Sequence, residues 1–124
     1  MVSTIRDIMS GELVAVSPST TVAEAATTMA ERRVGSALVL DGGLVGIFTE
    51  RDIVRALSQD FDAPGHPVEQ WMTRNPTTIS PEAPVQDALD MMLSAGFRHL
   101  PVMEGDDVVG VVSIRDLSKA AAEG

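Results

Sequence analysis

The sequence predicts a mixed α/β (α+β) fold made of two tandem β-α-β-β-α units, with small mixed sheets packed against helices. Three observations carry this. The chain aligns with itself at a shift of 63 residues that later becomes 64, counting along the numbered sequence. Each copy alternates short β-branched runs with a segment whose apolar positions recur at helical spacing. Finally, 44% hydrophobic and 22% charged residues over 124 positions fit a globular chain rather than a disordered one. A unit of about 60 residues would be marginal alone, so two copies covering each other are expected.

The repeat opens with Ile5-Arg-Asp-Ile-Met9-Ser10 against Val68-Glu-Gln-Trp-Met72-Thr73. It continues through Ser17-Pro18 against Ser80-Pro81, where the short strands Val14–Val16 and Thr77–Ile79 end. A helix follows in each copy. Its apolar positions Val22, Ala25, Ala26 and Met29 match Val85, Ala88, Leu89 and Met92, at the i, i+3, i+4, i+7 spacing of one helical face. Thr20 or Thr21 can cap the first helix, and Pro84 suits the first turn of the second. The hairpins come next: Ala37–Leu40 with Leu44–Phe48, and Leu100–Met103 with Val108–Val112. The one-residue gap falls between Asp41-Gly-Gly43 and Glu104-Gly-Asp-Asp107, turn compositions where an insertion is tolerated. Final helices are expected from about Glu50 to Ser58 and from about Ile114 to Ala121.

The expected division is 1–59 for the first unit, 60–67 for a linker and 68–124 for the second. The linker reads Asp60-Phe-Asp-Ala-Pro-Gly-His-Pro67, with Phe61 expected to tuck against the module. Met29, Met91 and Met92 are expected in the core as flexible gap fillers. Trp71, which stands where the first copy has Ile8, is expected to pack over an edge.

The formal net charge is −9, and the nine basic residues are scattered. Nucleic acid and anionic membranes are therefore poor partners, because their affinity depends on clustered Lys and Arg. No apolar run approaches the roughly 18 residues of a membrane span. There is no Cys and no secretion signal, so a cytoplasmic setting is the default expectation. No nucleophile elbow, zinc-protease motif or P-loop is present, and only His66 and His99 could serve as imidazoles. The chain reads as a non-enzyme, with no catalytic residue and no metal site.

The segments most able to carry chemistry are Gly46-Ile-Phe-Thr49-Glu-Arg-Asp52 and Gly110-Val-Val-Ser113-Ile-Arg-Asp116. Each runs from a strand into a helix through a hydroxyl, with a carboxylate three residues later. One account is a capping box. The other uses the same geometry for a ligand: a helix N-terminus suits phosphate, and a carboxylate can accept both hydrogens of a ribose diol. Arg51 and Arg115 recur on the first turn, where an ion pair or a phosphate or partner contact would account for them. Arg98-His99 opens the middle strand of copy two, where copy one has Gly35-Ser36.

In order and in duplicate, these motifs resemble a pair of CBS (cystathionine-β-synthase) domains, or Bateman module, from about Ile5 to Ala120. The resemblance implies two units related by a pseudo-twofold axis, with clefts between them that bind AMP, ADP, ATP or a related adenosyl ligand. It implies that Thr49 and Ser113 contact phosphate and that Asp52 and Asp116 hold the ribose. It places Val14, Val16, Ile47, Thr77, Ile79 and Val111 around the adenine, and Arg98 and His99 toward the phosphates. No resident cofactor is then required; the adenine nucleotide is a ligand, with or without Mg²⁺. A homodimer and an unidentified effector protein are the implied partners. The departure at Gly35-Ser36 implies one clearly better site, with Asp116→Ala more damaging to binding than Asp52→Ala. The alternative is a structural or oligomerisation module with weak or empty sites.

Overall fold

The structure is a computed structural model that describes residues 3–123; Met1, Val2 and Gly124, at the outer ends of the expected units, lie outside the described residues. In chain order the elements are α1 (Ile5–Ile8), β1 (Ala15–Val16), α2 (Val22–Arg32), β2 (Ser36–Leu40), β3 (Leu44–Thr49) and α3 (Glu50–Gln59). After two 3₁₀ turns at Ala63–Gly65 and Val68–Gln70 come β4 (Thr73–Arg74), α4 (Val85–Ala95), β5 (His99–Glu104), β6 (Asp107–Ser113) and α5 (Ile114–Glu123). Every helix and hairpin expected from the repeat is present.

The chain forms two compact units, and their cut differs from the cut of the repeat. A central unit spans Val14–Pro76, and a split unit joins Met1–Leu13 to Thr77–Gly124. The expected boundaries at 1–59, 60–67 and 68–124 follow the sequence copies; in space the opening segment of each copy belongs with the body of the other. Hydrogen bonding gives the reason. In the central unit Val68 N–H donates to the Thr20 carbonyl, and β4 pairs with the outer edge of β3 at Gly46 and Ile47. In the split unit Ile5 N–H donates to the Ala83 carbonyl, and Ser10 bridges Val111 on β6. Each opening segment satisfies an otherwise open sheet edge.

The central sheet has the order β1-β2-β3-β4, with β1 parallel to β2 and the other pairs antiparallel. Its core gathers Val22, Ala25 and Met29 from α2 with Val39, Phe48, Ala56 and Trp71. Trp71 is thus a packing residue, as expected. The split unit has its own core, built on Ile5, Ala88, Met92, Leu100, Val102, Val112 and Leu117, with Met91 packed at its margin. Its sheet is reduced. β5 and β6 pair, but Thr77–Ile79 contributes a single parallel bridge, Ile79 to Val102, where a strand was expected. The cause is Pro101. In the central unit Leu38 N–H donates to the Val14 carbonyl at 2.8 Å; Pro101 stands at the position of Leu38 and has no N–H.

Local signals set the helix ends. Thr21 caps α2, accepting from Glu24 N–H. The Thr21 backbone N–H and hydroxyl donate in return to Glu24 and hold its carboxyl below the usual range. Pro84 is the cap residue of α4 and lies one position before its first turn. Phe61 is fully exposed rather than tucked in; the buried linker residue is Ala63, which sits among the apolar residues of the central core. At the corresponding place in the split unit, a cavity of about 440 Å³ lies open beside Val85, Leu89, Ile114 and Leu117. None of the helices among the described residues is long and apolar enough to cross a membrane.

Candidate functional site

Both hydroxyl-to-helix turns form, and both are capping boxes. At the start of α3, Thr49 N–H and its hydroxyl donate to Asp52 Oδ2 at 2.9 and 3.1 Å, and Asp52 N–H donates back to Thr49 Oγ1 at 3.4 Å. At the start of α5, Ser113 N–H and Oγ donate to Asp116 Oδ2 at 2.8 and 3.0 Å, and Asp116 N–H returns 3.2 Å to Ser113 Oγ. The next N–H of each helix is taken as well: Glu50 donates to the Gly35 carbonyl and Ile114 to the Arg98 carbonyl. The capping account is therefore realised twice.

The two turns differ in their surroundings. Asp52 is buried, and its second oxygen accepts from Arg55 at 3.2 Å. Arg55 also donates to the Trp71 carbonyl at 2.6 Å and lies over the Trp71 ring, 5.6 Å from its centroid. Asp116 is only half-buried, and among the described residues Ser113 supplies both of the bonds its carboxylate accepts. A carboxylate has about four acceptor positions. Asp116 keeps about two for a ligand and Asp52 about one.

The remaining candidates fall into the same two groups. In the central unit Ser36 is the register partner of Thr49, and Leu38 lies between Ala15 on one side and Ile47 on the other. Val14 and Ile47 are buried and Val16 is half-buried. In the split unit His99 is the register partner of Ser113 and Pro101 that of Val111. Ile79 is buried, Thr77 and Arg98 are exposed, and His99 and Val111 are half-buried. The basic pair thus stands beside the Ser113–Asp116 turn in one unit. Where the sister turn has Ser36, the side chain is small and buried.

Three contributors were not singled out by the sequence. Arg55 engages Asp52 from three positions along the helix, a spacing at which side chains meet. Met72 and Met9 press on the repeated glycines: a Cβ at Gly46 would stand 2.5 Å from Met72 Sδ, and one at Gly110 would stand 2.7 Å from Met9 Sδ. The repeat contained that signal, since the methionines and the glycines recur together. Among the described residues no cluster of three or more His, Asp or Glu could hold a metal ion.

Comparison with known proteins agrees with the fold. The family model of the CBS domain matches twice, over residues 5–59 and 68–123. An uncharacterised 17.7 kDa protein of Acidianus ambivalens is 44% identical over 97% of this chain and 74% of its own length. The crystal structure of the CBS domain pair of protein MJ0100, in complex with 5′-methylthioadenosine and S-adenosyl-L-methionine, superposes with a TM-score of 0.90 at 28% identity, covering 99% of this chain and 98% of that one. The structure of CBSX2 in complex with AMP gives a TM-score of 0.82 at 26% identity, over 98% of this chain and 97% of that one.

Proposed function

This chain belongs to the CBS domain family as a tandem pair of its units, and from that premise we propose that it is a regulatory module that binds an adenosyl ligand at its hydroxyl-to-helix turns. The observation that carries the reading is the split-unit turn. There a hydroxyl and a carboxylate with spare acceptor capacity stand at a helix N-terminus, with Arg98-His99 on the adjoining strand. This set matches a nucleotide's parts: helix N-terminus and cations for phosphate, carboxylate for ribose. The adenosyl compounds named with MJ0100 and CBSX2 support the same class of ligand.

AMP, ADP and ATP head the ligand candidates, with Mg²⁺ where the triphosphate needs it, and S-adenosylmethionine and methylthioadenosine follow. A thermal-denaturation series with each compound tests the reading. At a hundred times its dissociation constant the ligand is expected to stabilise the protein by about 2.7 kcal/mol. No shift with any adenosyl compound at millimolar concentration would overturn it.

Signalling then requires that the ligand prefer one conformation, because binding biases an equilibrium only by its differential affinity. We assign the response to a separate effector protein and the working form to a homodimer. Exposed Leu93 on α4 and the open cavity beside α4 and α5 support a second copy as the dimer partner. The second reading is an assembly module with empty turns, favoured by the fact that both carboxylates already serve capping boxes.

A further inference from the structure

We propose that Arg55 occludes the Asp52 carboxylate against a ligand diol, and so restricts strong adenosyl binding to the Asp116 turn; this rests on the nucleotide reading above. The two turns have the same backbone plan and the same hydroxyl-to-carboxylate bonds. They differ in what reaches the second carboxylate oxygen. In the central unit it is Arg55, held in place by a bond to the Trp71 carbonyl and by the Trp71 ring beneath its guanidinium. In the split unit Lys119 stands at the position of Arg55 and Ile8 at that of Trp71. Among the described residues Lys119 makes no ion pair with Asp116.

A cis-diol needs two acceptor positions, and Asp52 with Arg55 in place has about one. A ligand at Asp52 must therefore break a charge-assisted bond whose carboxylate is buried and whose guanidinium is half exposed, and charge-assisted bonds are the stronger ones. Arg55 itself is held from three directions, so moving it also disturbs its contacts with Trp71. The lysine of the other unit lacks the planar fork, and Ile8 stands at the repeat position of Trp71. Arg55 is thus a specificity-determining residue that makes two similar turns unequal.

Calorimetric titration with AMP of the unmodified protein and of Arg55→Met tests this. Methionine keeps an apolar stem over Trp71 and removes the guanidinium. One strong site per chain is expected in the unmodified protein, and the variant is expected to gain a second, weaker one, since Gly35-Ser36 supplies no cation there. Trp71 is the only tryptophan, so its emission reports events at its own turn. AMP is expected to change that emission in Arg55→Met and to leave it nearly constant in the unmodified protein. Two sites of equal strength in the unmodified protein, or a folded Arg55→Met with one, would overturn the role of Arg55 alone.

Should Arg55→Met fail to fold, Arg55→Lys, which installs the residue of the other turn, is titrated instead. A second AMP site in that variant supports the occlusion, and a folded Arg55→Lys with one site overturns it. If neither the unmodified protein nor a folded Arg55→Met binds AMP, methylthioadenosine or S-adenosylmethionine, the nucleotide reading fails, and the role of Arg55 falls with it.

Discussion

Replacing Asp116 with Ala is expected to weaken AMP binding at least tenfold, while Asp52→Ala changes it less than about twofold. The reasoning is a count of acceptors. Hydrogen bonds to a charged group contribute about 1.5–3 kcal/mol each. Losing one or both bonds to a ribose therefore lowers affinity by roughly tenfold or more. Stability should show the opposite order. Asp52 is buried and holds Thr49 N–H, the Thr49 hydroxyl and Arg55 together, so its removal leaves several donors unmatched. A cost of about 1–3 kcal/mol is expected for Asp52→Ala. Asp116, half-buried and with fewer partners, should cost less. Calorimetric titration and denaturant unfolding of both variants check the two halves separately. Equal losses of affinity would contradict the inequality of the turns.

The second large effect is expected at the repeated glycines. Gly110→Ala places a methyl group 2.7 Å from Met9 Sδ and 2.9 Å from the Ser10 carbonyl. Gly46→Ala meets Met72 Sδ at 2.5 Å and the Thr73 carbonyl at 3.0 Å. The thioether is flexible and can turn aside, but the carbonyl belongs to backbone paired with the sheet. Forcing an extra carbon into such a contact costs about 1–3 kcal/mol. A loss of that size is expected for each variant in urea unfolding. Pairing Gly110→Ala with Met9→Ala should recover part of it, if the methionine is one of the groups that must move. A fully stable Gly110→Ala would show that the opening segment does not press on β6.

How much was legible in the sequence varies by element. The helices and hairpins were, because their signals are local: apolar spacing in α2 and α4, glycine turns between the hairpin strands, and hydroxyl caps at Thr21, Thr49 and Ser113. The capping bonds of Thr49–Asp52 and Ser113–Asp116 were legible for the same reason, being three residues apart on one chain. The shortened strand at Thr77–Ile79 was readable in principle, since Pro101 removes the needed N–H. Its effect becomes visible only once Pro101 is aligned with Leu38 and Leu38 is known to donate to Val14. Arg55 was missed because nothing local distinguishes an arginine aimed at Asp52 from one aimed at solvent. Its direction is fixed by Trp71, sixteen residues away.

The duplication, the family and the pair of hydroxyl-to-carboxylate turns were determined by the sequence itself, since each depends on spacing within a copy. Only the tertiary structure decided which opening segment completes which unit, and which carboxylate keeps more unused acceptor positions. The physical reason is the same in both cases. Two copies with similar local preferences offer similar edges and similar turns. The choice between them is made by long-range partners: Met72 and Thr73 against Gly46, Met9 and Ser10 against Gly110, and Arg55 held by Trp71 over Asp52.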